Sequence, residues 1–316
     1  MVPSTGKIET MGAAARGWLL QGQGGKVLAV VTHAVYLLTE EGELVWLATT
    51  GNPMHRRCMQ LPAPLPHLAV DATFMIRGQS IDLESGTNLD FHASHVWEGL
   101  ELPPGDVIDI GQLPDTLFAV CQSFLATETP VGYGSFILPV LQIAKKLKFS
   151  IRFQPKDILT TAAWPVVERI ARECLSHDLP GVFQEAEGLV GLGEGLTPAG
   201  DDFLGGLFFA RHLLACSYPF LLYLEFSDLR EWIAACQPRT NLISYVLLKD
   251  NAGGHALEPL SRFGVALLTN QPEANIISAA SELVKVGHST GWSLLAGFLV
   301  GMLLAFVERP DSPRQA

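Results

Sequence analysis

Basic side chains are scarce. Lysine and arginine number 21 against 32 aspartates and glutamates, a formal net charge of −11. A nucleic-acid binder needs a basic face to neutralise phosphates, so the balance argues against that class. Cysteine is sparse too. Cys58, Cys121, Cys174, Cys216 and Cys236 include no CxxC pair. An odd, scattered set fits reduced core thiols in the cytoplasm better than a disulfide framework. GxxxxGK[ST], HExxH and GxSxG do not occur, which removes the P-loop, the zincin helix and the nucleophile elbow. Gly191-x-Gly193-x-Gly195 follows no predicted strand of a βαβ unit, so a dinucleotide fold is unsupported. Without soft ligands, any metal would be a hard cation such as Mg²⁺, held by Asp201 or Asp202. The N-terminus has no charged region followed by a clear apolar one, so no signal peptide is expected.

Long uncharged runs are also few. "GWSLLAGFLVGMLLAFV" (291–307) has no charge and contains Gly297-x-x-x-Gly301. It falls short of the roughly 20 apolar residues of a spanning helix and has no companion of equal quality. A buried core helix is expected there instead of a membrane span.

The chain is nonetheless rich in core-forming residues. Hydrophobic types make up 48% of its 316 residues, enough for a large core and for about two domains. The first third reads as strands. "KVLAVVTHAVYLLT" is dense in Val, Leu and aromatic residues, "EEGE" makes a turn, and "LVWLATTG" follows as a hairpin partner. "LPAPLPHL" (61–68) must be loop or edge because of its prolines. "TFMIRGQSIDLES" and "VWEGLELPPGDVIDI" add short strands between Gly and Pro punctuation. From Pro114 the period changes. Leu117, Val120, Cys121, Phe124 and Leu125 share one helix face, as do Val167, Ile170, Ala171, Cys174 and Leu175. Ile276, Ile277, Ala280, Leu283 and Val284 repeat the pattern before Gly287, a C-terminal cap. "FSIRFQPKD" (149–157) reads as an extended piece between helices. The expected fold is α+β: a β-rich domain over 1–112, a small barrel or split sheet, then a mainly α-helical bundle over 113–316. A boundary near 155 is the alternative.

Three stretches carry chemistry. "GLGEGLTPAGDDFLGG" (191–206) combines spaced glycines, a Thr-Pro helix entry and Asp201-Asp202 in or before the first turn. Capping alone needs one hydroxyl and one aspartate. Consecutive carboxylates on a helix point about 100° apart, so one can cap while the other faces a pocket. Gly205 and Gly206 cost helix stability, about 1 kcal/mol each, unless a neighbour packs closely. "VGHSTGWSLLAG" (286–297) is a second hydroxyl-rich helix start, suited to an anion through Ser289, Thr290 and the N–H groups near Gly291. His288 adds a donor or proton near neutral pH; Thr290 and Ser293 read equally well as an N-cap and an ordinary helix residue. In "PRTNLISYVLL" (238–248), Thr240 looks like an N-cap with Ser244 one turn on and on the same face. Arg239 beside it is a fair oxyanion partner. His255 is a weaker candidate. A faint echo lays 197–209 over 288–300 without gaps, setting Gly200 on Gly291, Leu204 on Leu295 and Gly206 on Gly297.

These motifs resemble the AllH family. Gly191 to Gly206 match its pattern G-x-G-x-G-L-T-P-[SA]-G-D-D-F-L-x-G throughout. "GHSTGWSLLAG" departs from the commoner Gly-His-[ST]-Ser-Gly form only at Thr290. The resemblance covers most of the chain, the β-rich third by architecture more than by motif. It implies a subunit of oxamate carbamoyltransferase, acting with FdrA-like and AllG-like partner subunits in allantoin and purine breakdown. The reaction interconverts carbamoyl-oxamate plus phosphate with oxamate plus carbamoyl phosphate. The resemblance supplies no catalytic residues, so the candidates come from chemistry. Asp201, Asp202 and His288 are the catalytic candidates. Gly195, Thr197, Gly200, Arg239, Thr240, Ser244, Ser289, Thr290 and Gly291 would bind substrate or phosphate. A stand-alone Mg²⁺-assisted hydrolase of an amide or glycosyl bond, and a non-catalytic anion-binding scaffold, remain the alternatives.

Overall fold

The computed structural model describes residues 5–62, 64–103, 105, 107–145, 153, 155, 157–221 and 229–306. Its contacts divide the chain into two units, Met1–Leu100 and Glu101–Ala316. The architecture is α+β, a β-rich N-terminal unit followed by a mainly helical one.

The first unit holds ten strands in one sheet. They are β1 (Thr5–Lys7), β2 (Thr10–Gly12), β3 (Gly24–Val31), β4 (Ala34–Thr39), β5 (Leu44–Thr49), β6 (Cys58–Leu61), β7 (Thr73–Arg77), β8 (Ser80–Leu83), β9 (Asn88–Asp90) and β10 (His95–Trp97). The sheet order is β1-β9-β8-β7-β3-β4-β5-β6-β2-β10. β1 and β2 are separated only by Ile8 and Glu9, yet they pair near opposite ends of that order. The sheet is therefore curled into a half-barrel. The expected hairpin around "EEGE" is β4–β5, turned at Gly42 with φ 84°. "KVLAVVTHAVYLLT" is two antiparallel strands, β3 and β4, broken at Thr32-His33. "VWEGLELPPGDVIDI" gives only the end of β10. Ile8, Met11, Val27, Val35, Leu37, Val45, Leu47, Met59 and Phe74 fill the inside. One helix was not expected: α1 (Ala13–Leu19), started by an alanine run. Its Trp18 carries the Arg57 guanidinium 4.2 Å from the ring centroid. Arg57 is buried and also pairs with Glu43 at 3.0 Å, so the cation is satisfied on two sides.

The second unit contains α2 (Leu113–Thr127), α3 (Ile137–Ala144), α4 (Ile158–Ser176), α5 (Leu179–Ala186), α6 (Ala199–Ser217), α7 (Leu229–Cys236), α8 (Leu242–Ala252), α9 (Glu258–Leu268), α10 (Glu273–Val284) and α11 (Thr290–Met302). The three faces read from periodicity are buried in α2, α4 and α10. Gly287 takes φ 60°, two residues past the capping Lys285. Of the stretch 149–157, only Phe153, Pro155 and Asp157 are described, and Asp157 caps α4 through Thr160 N–H at 2.8 Å. The extended reading of that stretch otherwise falls outside the described residues.

α6 and α11 form the centre. Every residue from Ala199 to Ala210 is buried, and so is every residue from Gly291 to Met302. Helices apolar all round belong in a core or a membrane. Among the described residues, no helix is long and apolar enough to cross a membrane; within the run at 291–307, α11 is buried throughout from Gly291 to Met302, the core helix expected there. The two helices cross at glycines. A Cβ on Gly206 would collide with the Leu294 carbonyl oxygen, and one on Gly297 with that of Phe203. The overlay of 197–209 on 288–300 sets Phe203 on Leu294 and Gly206 on Gly297, so the two glycines, themselves counterparts, meet residues that are counterparts too. The echo in the sequence is a reciprocal crossing in space. The N-caps, Pro198 and Ser289, are also counterparts.

Candidate functional site

The loop before α6 sets up the site. Gly191, Gly193 and Gly195 take φ of 72°, 130° and 90°, left-handed values that side chains rarely adopt. At Gly191 there is a second constraint, because a Cβ would collide with the Arg239 carbonyl. This turn aims the Gly191 N–H at Asp201 Oδ1, 2.8 Å away.

Asp201 is buried and fully engaged. Its Oδ2 accepts from Ser244 Oγ at 2.7 Å and from Thr240 Oγ1. One carboxylate thus ties the glycine loop, the turn before α8 and α8 itself to the first turn of α6. Thr240 and Ser244 do share a face, as their spacing implied. The cap of α8 differs from expectation: Asn241 Oδ1 accepts from Ser244 N–H at 3.1 Å. Thr240 is one residue too early to cap, and its hydroxyl serves Asp201 instead.

Asp202 faces the other way, toward α11. Its carboxyl is raised well above the usual carboxylate range. Burial is the main cause; hydrogen bonding to Thr290 lowers it, the charge of Asp201 raises it, and hydrogen bonding to Thr197 lowers it. Thr197 Oγ1 and Thr290 Oγ1 lie 3.2 Å apart, both half-buried. Neither Thr197 nor Ser289 caps its helix by a side-chain bond. The two helix starts therefore meet through hydroxyls over one buried acid.

The remaining candidates divide. The Gly200 N–H donates to Leu192 O at 2.8 Å, and the Gly291 N–H to Val286 O at 3.0 Å. Both glycines serve close packing: a Cβ would strike the Leu189 carbonyl at Gly200 and that of Leu283 at Gly291. Ser289 lies beside Gly132, whose Cβ would stand 3.5 Å from the serine Cβ. Gly195 is exposed with open space around it. Arg239 reaches back to Glu187, donating to its carbonyl at 2.5 Å and standing 3.7 Å from its carboxylate. His288 is exposed and, among the described contacts, enters neither aspartate cluster. The geometry therefore brings together Asp201, Thr240 and Ser244 on one side of α6, and Asp202, Thr197 and Thr290 on the other.

Two residues enter this region that sequence reasoning passed over or read as ordinary. The turn 132–136 leans on α11, where a Cβ on Gly134 would crowd the Trp292 ring. Its Tyr133 is fully buried against Phe203, ring centroids 6.1 Å apart. Ser293 on α11 is fully buried as well. Glycines on both sides of a tyrosine in "VGYGSF" were the available signal for the first.

Asp201 and Asp202 are also the residues expected to hold a magnesium ion. Both oxygens of Asp201 already accept hydrogen bonds, from the Gly191 N–H and from the Thr240 and Ser244 hydroxyls. Among the described residues no group of three His, Cys, Asp or Glu side chains is placed to hold a metal.

Residues 189–302 match the family model described as oxamate carbamoyltransferase subunit AllH. This is the family that the motifs resemble. The matched span starts at the glycine loop and ends with α11, so it contains both aspartate clusters. No solved structure matches the chain.

Proposed function

We propose that this chain is the AllH-type subunit of an oxamate carbamoyltransferase complex, working with FdrA-like and AllG-like subunits in purine and allantoin breakdown in the cytoplasm. Its site, on this reading, lies where the first turns of α6 and α11 meet and takes a small anion. The observation that carries it is the convergence of Thr197, Thr290 and a buried Asp202 at two helix starts, inside the span that matches the family. Helix starts bind anions through backbone N–H groups and the dipole, without lysines. That suits an acidic chain whose substrates, phosphate, oxamate and carbamoyl phosphate, are all anionic.

In the reaction a phosphate oxygen attacks the carbamoyl carbon. The C–N bond to oxamate breaks, and the departing amide nitrogen takes a proton. A carboxyl kept protonated by burial is suited to supply that proton, which gives Asp202 the acid's role. Thr197 and Thr290 orient the anion beside it. Asp201 holds the loop and α8 in place without touching the substrate. The Mg²⁺-assisted hydrolase finds less support, because Asp201 is already committed.

The test is reconstitution. Carbamoyl phosphate formed from carbamoyl-oxamate and phosphate should require this chain together with its partner subunits. D202A should remove most of the activity from a complex that still assembles. A complex that turns over equally well without this chain would overturn the reading.

A further inference from the structure

We propose that Ser293 and Tyr133 are two further binding residues of this site, donating hydroxyl hydrogens to oxygen atoms of a small anion held between the first turns of α6 and α11. The inference rests on the anion reading above.

Ser293 carries the argument. It stands one turn beyond Thr290 and one turn before Gly297, so it lies on the face of α11 that meets α6. In the overlay of the two helices it is the counterpart of Asp202. One counterpart has hydroxyl neighbours. The other, Ser293 Oγ, is sealed from solvent with no hydrogen-bond partner among the described residues. A buried hydroxyl is rarely left that way, because desolvation is not repaid.

Tyr133 repeats the observation independently. Its residue is fully buried and its hydroxyl also lacks a partner among the described residues. The turn that carries it presses on Ser289 and Trp292 at the start of α11. Burial first, then the charges of Asp157 and Asp201, raise its phenol, so it stays a donor. Two buried donors, without acceptors among the described residues, thus belong to α11 and to the turn packed on its start. The Thr197–Thr290 contact, half-buried, lies at the exposed side of this group. An anion that parts the two threonines reaches the sealed hydroxyls.

The experiment uses the full chain, alone and with the subunits that copurify with it, and titrates inorganic phosphate and oxamate by calorimetry. S293A and Y133F should each weaken binding about tenfold, while their ligand-free melting temperatures match or exceed that of the wild type. A hydroxyl that awaits a ligand is a cost when the ligand is absent, so its loss must not destabilise the empty protein. If T197V and T290V lose binding while S293A and Y133F bind as the wild type does, this inference falls and the anion site stands. If the wild type binds neither anion at millimolar concentration in either form, the site reading falls and takes the inference with it.

Discussion

The hydroxyl oxygens of Thr197 and Thr290 stand 3.2 Å apart. They come from the starts of two different helices, and each also interacts with the Asp202 carboxyl. A hydroxyl can cap its own helix or reach across to a neighbour, but it has one hydrogen to give. Here both reach across. The helix starts are left without side-chain caps, and their first-turn donors are not covered by their own side chains.

Asp202 makes stability depend on pH. Its folded pKa is raised, so the folded state keeps a proton that the unfolded chain releases near its ordinary value of about 3.9. Stability from this group is full below that value and is lost as pH rises toward the folded pKa. D202N removes the ionisation. Its melting temperature should exceed the wild type's by a margin that grows from pH 4 upward and vanishes below it. Scanning calorimetry from pH 3.5 to 8 reads this directly; a margin independent of pH would refute the assignment.

Asp201 should behave oppositely, as a clamp. D201A strands the Gly191 N–H and the Thr240 and Ser244 hydroxyls. Charge-assisted bonds are worth about 1.5–3 kcal/mol each and buried donors are costly to leave unpaired, so a loss of roughly 3–5 kcal/mol in urea denaturation is expected. D201N keeps one of the two acceptor oxygens and should lose less. Equal losses would mean that the three donors are not held by this carboxylate.

The crossing of α6 and α11 predicts opposite outcomes for one substitution at two glycines. G297A places a methyl against the Phe203 carbonyl, and overpacking of a close core costs about 1–3 kcal/mol. Gly17 lies inside α1 with nothing within 4 Å of its would-be Cβ. G17A should therefore stabilise by about 0.5–1 kcal/mol through helix propensity alone. Chemical denaturation of the two variants side by side tests the contrast.

Much of the fold was legible because periodicity reports burial. The faces of α2, α4 and α10 and the β4–β5 hairpin all follow from spacing. What spacing could not convey was competition for hydrogen bonds across the fold. Thr240 reads as a cap, yet its hydroxyl goes to Asp201, distant in sequence, and Asn241 takes the cap. Gly200 and Gly291 read as open N–H donors, yet both are spent on local carbonyls. The paired aspartates were readable as two roles. Which residue took which role was set by the partners on α8 and α11, which the local sequence does not name. Tyr133 offers only its flanking glycines in the sequence; what marks it is a buried hydroxyl without a hydrogen-bond partner among the described residues.

The glycine crossing also has a bearing on selectivity. Because carbonyl oxygens and glycine backbone set how closely α6 and α11 approach at their crossing, no rotamer change there can alter that approach. The crossing acts as a fixed caliper. The backbones that carry Thr197 and Thr290 are held by main chain, which leaves the side chains to decide what passes between the two hydroxyls.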